Sequence, residues 1–226
     1  MCFSPTASFT AGVGLLIVGG ITMRQARRPA EMPFAAIPVF FAIQQLIEGA
    51  LWLTFPDKAP SLRTFLTNAY SVFSHVLWPV YVPIAVLLLE TVRWHRIVHS
   101  AIAVAGAAVG VYLLYFLATV PIVATVIGNH IDYKSPHFYI VIVMVLYVLG
   151  TCVSSLLSSH FWVRMFGVVS FLSFAAAGYF YKIWFISVWC FFAAVLSSIV
   201  LVYFLRRNES GLERRRAPII APSNRI

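Results

Sequence analysis

Charge is scarce in this chain. Lys, Arg, Asp and Glu make up 10% of the 226 residues, against about 25% in soluble domains. Acidic groups are rarest: seven Asp and Glu stand against sixteen Lys and Arg, for a formal net charge of +9. Only three cysteines occur, Cys2, Cys152 and Cys190, at no metal-finger or redox spacing, so a disulfide framework is not expected. GxSxG, Walker and GxGxxG patterns are missing, so nothing points to serine-triad, nucleotide or NAD chemistry. The alternating strands of a membrane barrel are missing as well. Apolar side chains fill the space: the AVILMFWYC set reaches 61% and the mean hydropathy is +0.90. A water-soluble globule of this size lacks the polar surface to cover so much. The same balance excludes disorder, and a nucleic-acid domain despite a pI of 9.8. The sequence reads as an all-α, polytopic membrane protein.

A helix crosses a bilayer with about 20 apolar residues. Seven spans are predicted, at about 6–23, 33–54, 69–91, 98–120, 137–158, 163–181 and 183–205. No Lys or Arg precedes the first run and three follow it, so it is not read as a cleaved signal peptide. Positive flanks stay cytoplasmic, which puts the N-terminus outside and the C-terminus in the cytoplasm. The inner segments then hold Arg24, Arg27, Arg28, Arg93, Arg96, Arg164, Arg206, Arg207, Arg214, Arg215, Arg216 and Arg225; the outer ones hold Lys58, Arg63, Lys134 and Lys182. No basic residue falls mid-span. Residues 1–207 form the transmembrane domain, and 208–226 form a basic cytoplasmic tail expected to be disordered. Residues 121–136 read as a non-spanning outer connection. Gly106 and Gly110 form a GxxxG in the fourth helix, read as close packing within the bundle.

Ionisable groups inside a span are costly, so each is a candidate for function. Glu48 lies six residues before Thr54 on the second helix, and His75 six after Ala69 on the third. At 1.5 Å per residue both sit roughly 9 Å below the outer edge. Gln44 shares a helix face with Glu48, and Ser71 with His75. Cys2 precedes the first helix on the same side, and removal of Met1 would give it a free amine beside its thiol. His130, Asp132 and His137 flank the outer ends of the fourth and fifth helices, and Tyr179, Tyr181 and Lys182 those of the last pair. Thiolate, imidazole and carboxylate suit zinc, and the first two suit copper. A site of Cys2, Glu48 and His75 with His130 or His137 is therefore expected, with Gln44, Gln45, Ser71 and Ser74 orienting the ligands. The plainer alternative is a buried Glu48–His75 pair that sets helix register. His95 and His99 are expected among lipid headgroups, and Glu90 at water or an arginine. Cys152 and Cys190 read as packing residues, and Trp52, Trp94, Trp162 and Trp184 as interfacial anchors.

Met1, Cys2, Phe3 and Ser4, then Ala7, Ser8 and Phe9, and the later run from Gln45 to Trp52 resemble an uncharacterised family of small bacterial multi-helix membrane proteins. That resemblance implies a bacterial inner membrane and places Cys2 and Glu48 in one site, with no activity attached. Glu48 with Ser71 and His75 is also similar to the first motifs of seven-helix zinc hydrolases of the alkaline-ceramidase and adiponectin-receptor type. Their late His-x-x-x-His pair is missing here, and that assignment fails. No interior Lys lies in the last helix, so retinal is not expected.

Three functions compete. The first is a metal-binding membrane protein, extending to an enzyme on a lipid or hydrophobic small molecule. The second is a proton-coupled transporter or sensor using Glu48 and His75 without metal. The third is an accessory structural subunit. Membrane lipids, with anionic headgroups at the Arg-rich face, are the expected partners.

Overall fold

The computed structural model describes residues 4–56, 58–128, 130–180 and 192–216. Seven helices run through them: α1 (Pro5–Gln25), α2 (Pro29–Trp52), α3 (Pro60–Leu89), α4 (Arg93–Thr119), α5 (Val141–Leu156), α6 (Phe161–Phe180) and α7 (Ala193–Arg216). Five of them, α1 to α4 and α6, are long and apolar enough to cross a membrane. The division between the last two predicted spans lies outside the described residues, as do Cys2, Tyr181, Lys182, Trp184 and Cys190. α7 continues through Arg216, into the segment read as tail.

Helix starts follow local chemistry. The Ser4 side chain accepts from the Ala7 N–H at 3.2 Å, and Pro5, Pro29 and Pro60 sit where a missing N–H costs nothing. Pro60 therefore starts α3 nine residues before the predicted span, through polar turns that hydropathy alone leaves out. α5 starts later than predicted, because Pro136–Tyr139 forms a separate 3-10 turn.

The connection after α4 is a β-hairpin, β1 (Val123–Ile127) against β2 (His130–Lys134). Ile127 pairs with His130, and Gly128 takes φ of 62°, the left-handed backbone that a two-residue hairpin turn requires. Ile131 and Tyr133 are buried. Tyr133 stacks on Tyr70 of α3 at 4.5 Å, which folds the hairpin onto one end of the bundle. The opposite end carries Arg24, Arg27, Arg28, Arg93, Arg96, Arg164, Arg206 and Arg207. These are called the hairpin end and the basic end below.

The packing centre is the middle of α3. Pro83 has no N–H for the Pro79 carbonyl one turn earlier. Two glycines close on that carbonyl instead. A Cβ on Gly106 of α4 would lie 2.0 Å from the Pro79 oxygen, and one on Gly150 of α5 would lie 2.7 Å from it. Only glycine permits this approach, which suits Cα–H···O contacts. The GxxxG of α4 thus packs against its own chain.

Candidate functional site

His75 sits in a π-helical turn, Val72–Leu77, inside α3. Pro79 accounts for the turn: it offers no N–H to the His75 carbonyl four residues back, and the helical ladder widens. Across a π-turn the Ser74 carbonyl would look to residue 79, which again has no N–H. The Tyr147 hydroxyl of α5 donates to that carbonyl instead, at 2.5 Å. His75 is 2% exposed, and its ring lies 4.6 Å from that of Phe138.

The Ser74 hydroxyl lies 3.4 Å from the Ser71 carbonyl and 2.8 Å from His75 Nδ1. The other ring nitrogen, Nε2, is buried with no hydrogen-bond partner. The hydroxyl against His75 belongs to Ser74, while the Ser71 hydroxyl is buried without a partner. No hydrogen bond joins the Ser71 hydroxyl to the His75 ring four residues on.

Glu48 is completely buried on α2 and accepts from the Gln45 amide at 3.5 Å. Gln44 accepts from the Trp78 indole at 2.9 Å, and this contact aligns α2 with α3. Neither ring nitrogen of His75 is bonded to Glu48. The structure instead brings His75 together with His137. Both line a small pocket of about 10 Å³ with Ser135 and Lys134 at the hairpin end, where His137 stacks on Phe116 at 3.8 Å. His130 opens β2 and is 8% exposed; it does not line that pocket. Among the described residues, no three His, Cys, Asp or Glu side chains are grouped to hold a metal ion. Near the hairpin, burial raises the Asp132 carboxyl above its ordinary value, partly offset by Lys134.

On the other side of Ser74 lies a central cavity of about 40 Å³, lined by Trp78, Tyr147, Thr151 and Ser170 as well as Ser74. That volume holds about two or three waters. Tyr147, Thr151 and Ser170 were not singled out from sequence, because isolated hydroxyls in apolar runs give no spacing signal. A second π-turn, Leu149–Val153, carries Thr151 and Cys152. Cys152 lies 3.3 Å from the Ser170 hydroxyl and is buried.

The basic end also holds buried polar groups, and two expectations change there, those for His99 and Glu90. His99 is not among headgroups. It is fully buried, with Nδ1 2.6 Å from the His95 carbonyl and Nε2 2.9 Å from that of Ser154. His95 itself reaches the Leu157 carbonyl at 2.8 Å. Glu90 is 2% exposed and its described donors are serines, not an arginine: Ser158 Oγ, the Ser159 N–H and Ser159 Oγ donate to it at 2.5, 2.8 and 2.7 Å. Burial pulls the Glu90 carboxyl upward, but these donors outweigh it and hold it below its ordinary value. Glu31, unnoticed in the sequence, is fully buried and ion-paired to Arg28 and, at 2.5 Å, to Arg207.

No curated protein and no solved structure matches this chain. Residues 1–216 match the model of a family of unknown function, DUF6629. The chain belongs to that uncharacterised family.

Proposed function

We propose that this chain is a multi-pass integral membrane protein with its basic end in the cytoplasm, and that it works as a proton-coupled transporter or sensor. His75 accepts the proton. One observation carries the reading: a fully buried imidazole keeps Nε2 without a hydrogen-bond partner, while its Nδ1 is held against the Ser74 hydroxyl. An intramembrane ionisable group is a functional candidate by default.

The surroundings support a route in both directions. His75 lines the outer pocket with His137, Ser135 and Lys134. Ser74, bonded to His75, lines the central cavity with Tyr147, Thr151 and Ser170. Further along, Ser154, Ser155, Ser158, His99 and Glu90 are buried toward the basic end. Several buried polar atoms without partners lie in the outer half, namely Gln45 Oε1, Trp52 Nε1, Ser71 Oγ, His75 Nε2 and Thr125 Oγ1, while Ser155 Oγ lies toward the basic end. Buried polar atoms normally find partners, so the outer group favours a place where water or a small polar ligand enters.

The test is proton flux into proteoliposomes that contain a pH-sensitive dye. Wild type is expected to dissipate an imposed gradient, and His75→Gln to lose most of that flux while keeping its fold. Flux equal to protein-free vesicles, or unchanged in His75→Gln, sinks the reading.

A zinc or copper site is the second reading, because a ligating histidine holds its other ring nitrogen on a hydrogen-bond partner, as Ser74 holds His75 Nδ1. It needs Cys2, which lies outside the described residues. Elemental analysis separates the two: metal lost in both Cys2→Ala and His75→Ala supports the metal site, and a wild type without metal ends it.

A further inference from the structure

We infer that the basic end contains a built site for the phosphate of an anionic phospholipid, in the cleft between the start of α2, the start of α6 and the middle of α7. The inference uses the membrane orientation proposed above and is independent of the proton site.

The cleft encloses about 430 Å³ and is lined by Arg28, His160, Trp162, Tyr203, Arg206 and Arg207. Its charge is unbalanced. Three guanidiniums meet there, and Glu31 is the carboxylate that answers them, paired to Arg28 and to Arg207. Among the described side chains lining or pairing there, three guanidiniums face one carboxylate. Glu31 is anchored from below, since the Arg27 and Arg28 N–H groups donate to its Oε2 at 3.0 and 3.3 Å. It thus holds two arginines in place, while Arg206 on the exposed surface of α7 is the cation it does not engage. His160 contributes an oriented ring. The Leu89 carbonyl can only accept, so His160 Nε2–H donates to it at 3.2 Å and Nδ1 forms the opposite edge.

Guanidinium forks match phosphate oxygens two at a time, which a lone ammonium cannot do. The occupant is a lipid rather than a soluble phosphate because of what surrounds the arginines. Phe161 lines the same cleft and is 55% exposed. Leu205, next to Arg206, is 40% exposed. These apolar side chains offer a track for acyl chains beside the charged cleft. Trp162 adds an indole of the kind that settles at headgroup depth. Basic pockets between helices on the cytoplasmic face are the usual receptors for anionic headgroups.

The full-length protein in detergent micelles, offered equal phosphatidylglycerol and phosphatidylcholine, is read by native mass spectrometry. Wild type is expected to retain phosphatidylglycerol preferentially. Each arginine near a headgroup changes affinity about fivefold, so Arg206→Gln should lower retention by about that factor. Arg206→Gln leaves the Glu31 pairs in place, so its fold is retained. Adding Arg28→Gln should lower retention further, whereas Arg24→Gln with Arg96→Gln, exposed arginines of the same end, should leave it unchanged. Equal retention of the two lipids overturns the proposal, as does equal loss in the control pair. Displacement of phosphatidylglycerol by millimolar inorganic phosphate overturns the lipid assignment and points to a soluble phosphate ligand.

Discussion

The two ends of this bundle treat their buried ionisable groups differently. At the basic end the buried carboxylates are saturated: Glu31 has two arginines and two backbone donors, and Glu90 has three donors from Ser158 and Ser159. In the hairpin half, Gln45, Ser71 and His75 keep buried polar atoms without partners. A satisfied buried network contributes stability, whereas an unsatisfied polar atom costs about 1–3 kcal/mol. The contrast separates a structural clamp from a site kept ready for something else. It also explains why one helix, α3, is so heavily braced: it carries the unsatisfied imidazole and needs Gly106, Gly150 and Tyr147 to hold its broken ladder.

Substitutions can break that comparison. The largest loss is expected for Glu31→Gln, which removes the anion from a buried ion pair and strands Arg207. The cost is about 3 kcal/mol, read as a lower thermal midpoint in detergent and poor recovery in fluorescence size exclusion. Gly106→Ala comes next. It drives a methyl into the Pro79 carbonyl and should cost about 1–3 kcal/mol by overpacking, whereas Ala at the open Gly14 should cost nothing measurable by the same midpoint. Tyr147→Phe orphans the Ser74 carbonyl and should cost about 1–2 kcal/mol, with proton flux reduced alongside.

Acid sharpens the contrast further. Glu90 has a lowered folded value, so its stabilisation is present above the unfolded value of about 4.5 and is lost as pH falls through the folded one. Melting midpoints should therefore drop below about pH 4.5, and Glu90→Gln should flatten that drop while lowering the plateau near neutrality. The smallest effect belongs to Ser71→Ala, which deletes a hydroxyl that bonds to nothing in the fold. Its midpoint should move by less than about 0.5 kcal/mol. A large drop there would show the hairpin half to be as saturated as the basic end.

Much of the architecture was legible because it follows from composition and length. Long apolar runs force helices, and their spacing by Arg-rich and Pro-punctuated segments divides them. The hairpin was legible too, in Val123, Thr125 and Val126 followed by Gly128 and Asn129, a strand-and-turn signal that the surrounding hydropathy obscured. The site was only half legible. Glu48 and His75 stood out as buried ionisable groups, and both are buried. Their partners were not legible: His75 meets Ser74, its neighbour in the π-turn, and shares a pocket with His137 rather than bonding Glu48.

Chemical identity along the chain determined which segments had to be helical, which end would gather the arginines, and which few ionisable groups would lie deep. Those are local matters of transfer free energy and caps. Tertiary packing alone decided that His75 would meet Ser74 and share a pocket with His137, and that Glu90 would find serines. It also decided that Glu31 would join α2 to Arg207, more than 170 residues away. Such partners are set by helix rotation and depth, and a single widened turn changes both.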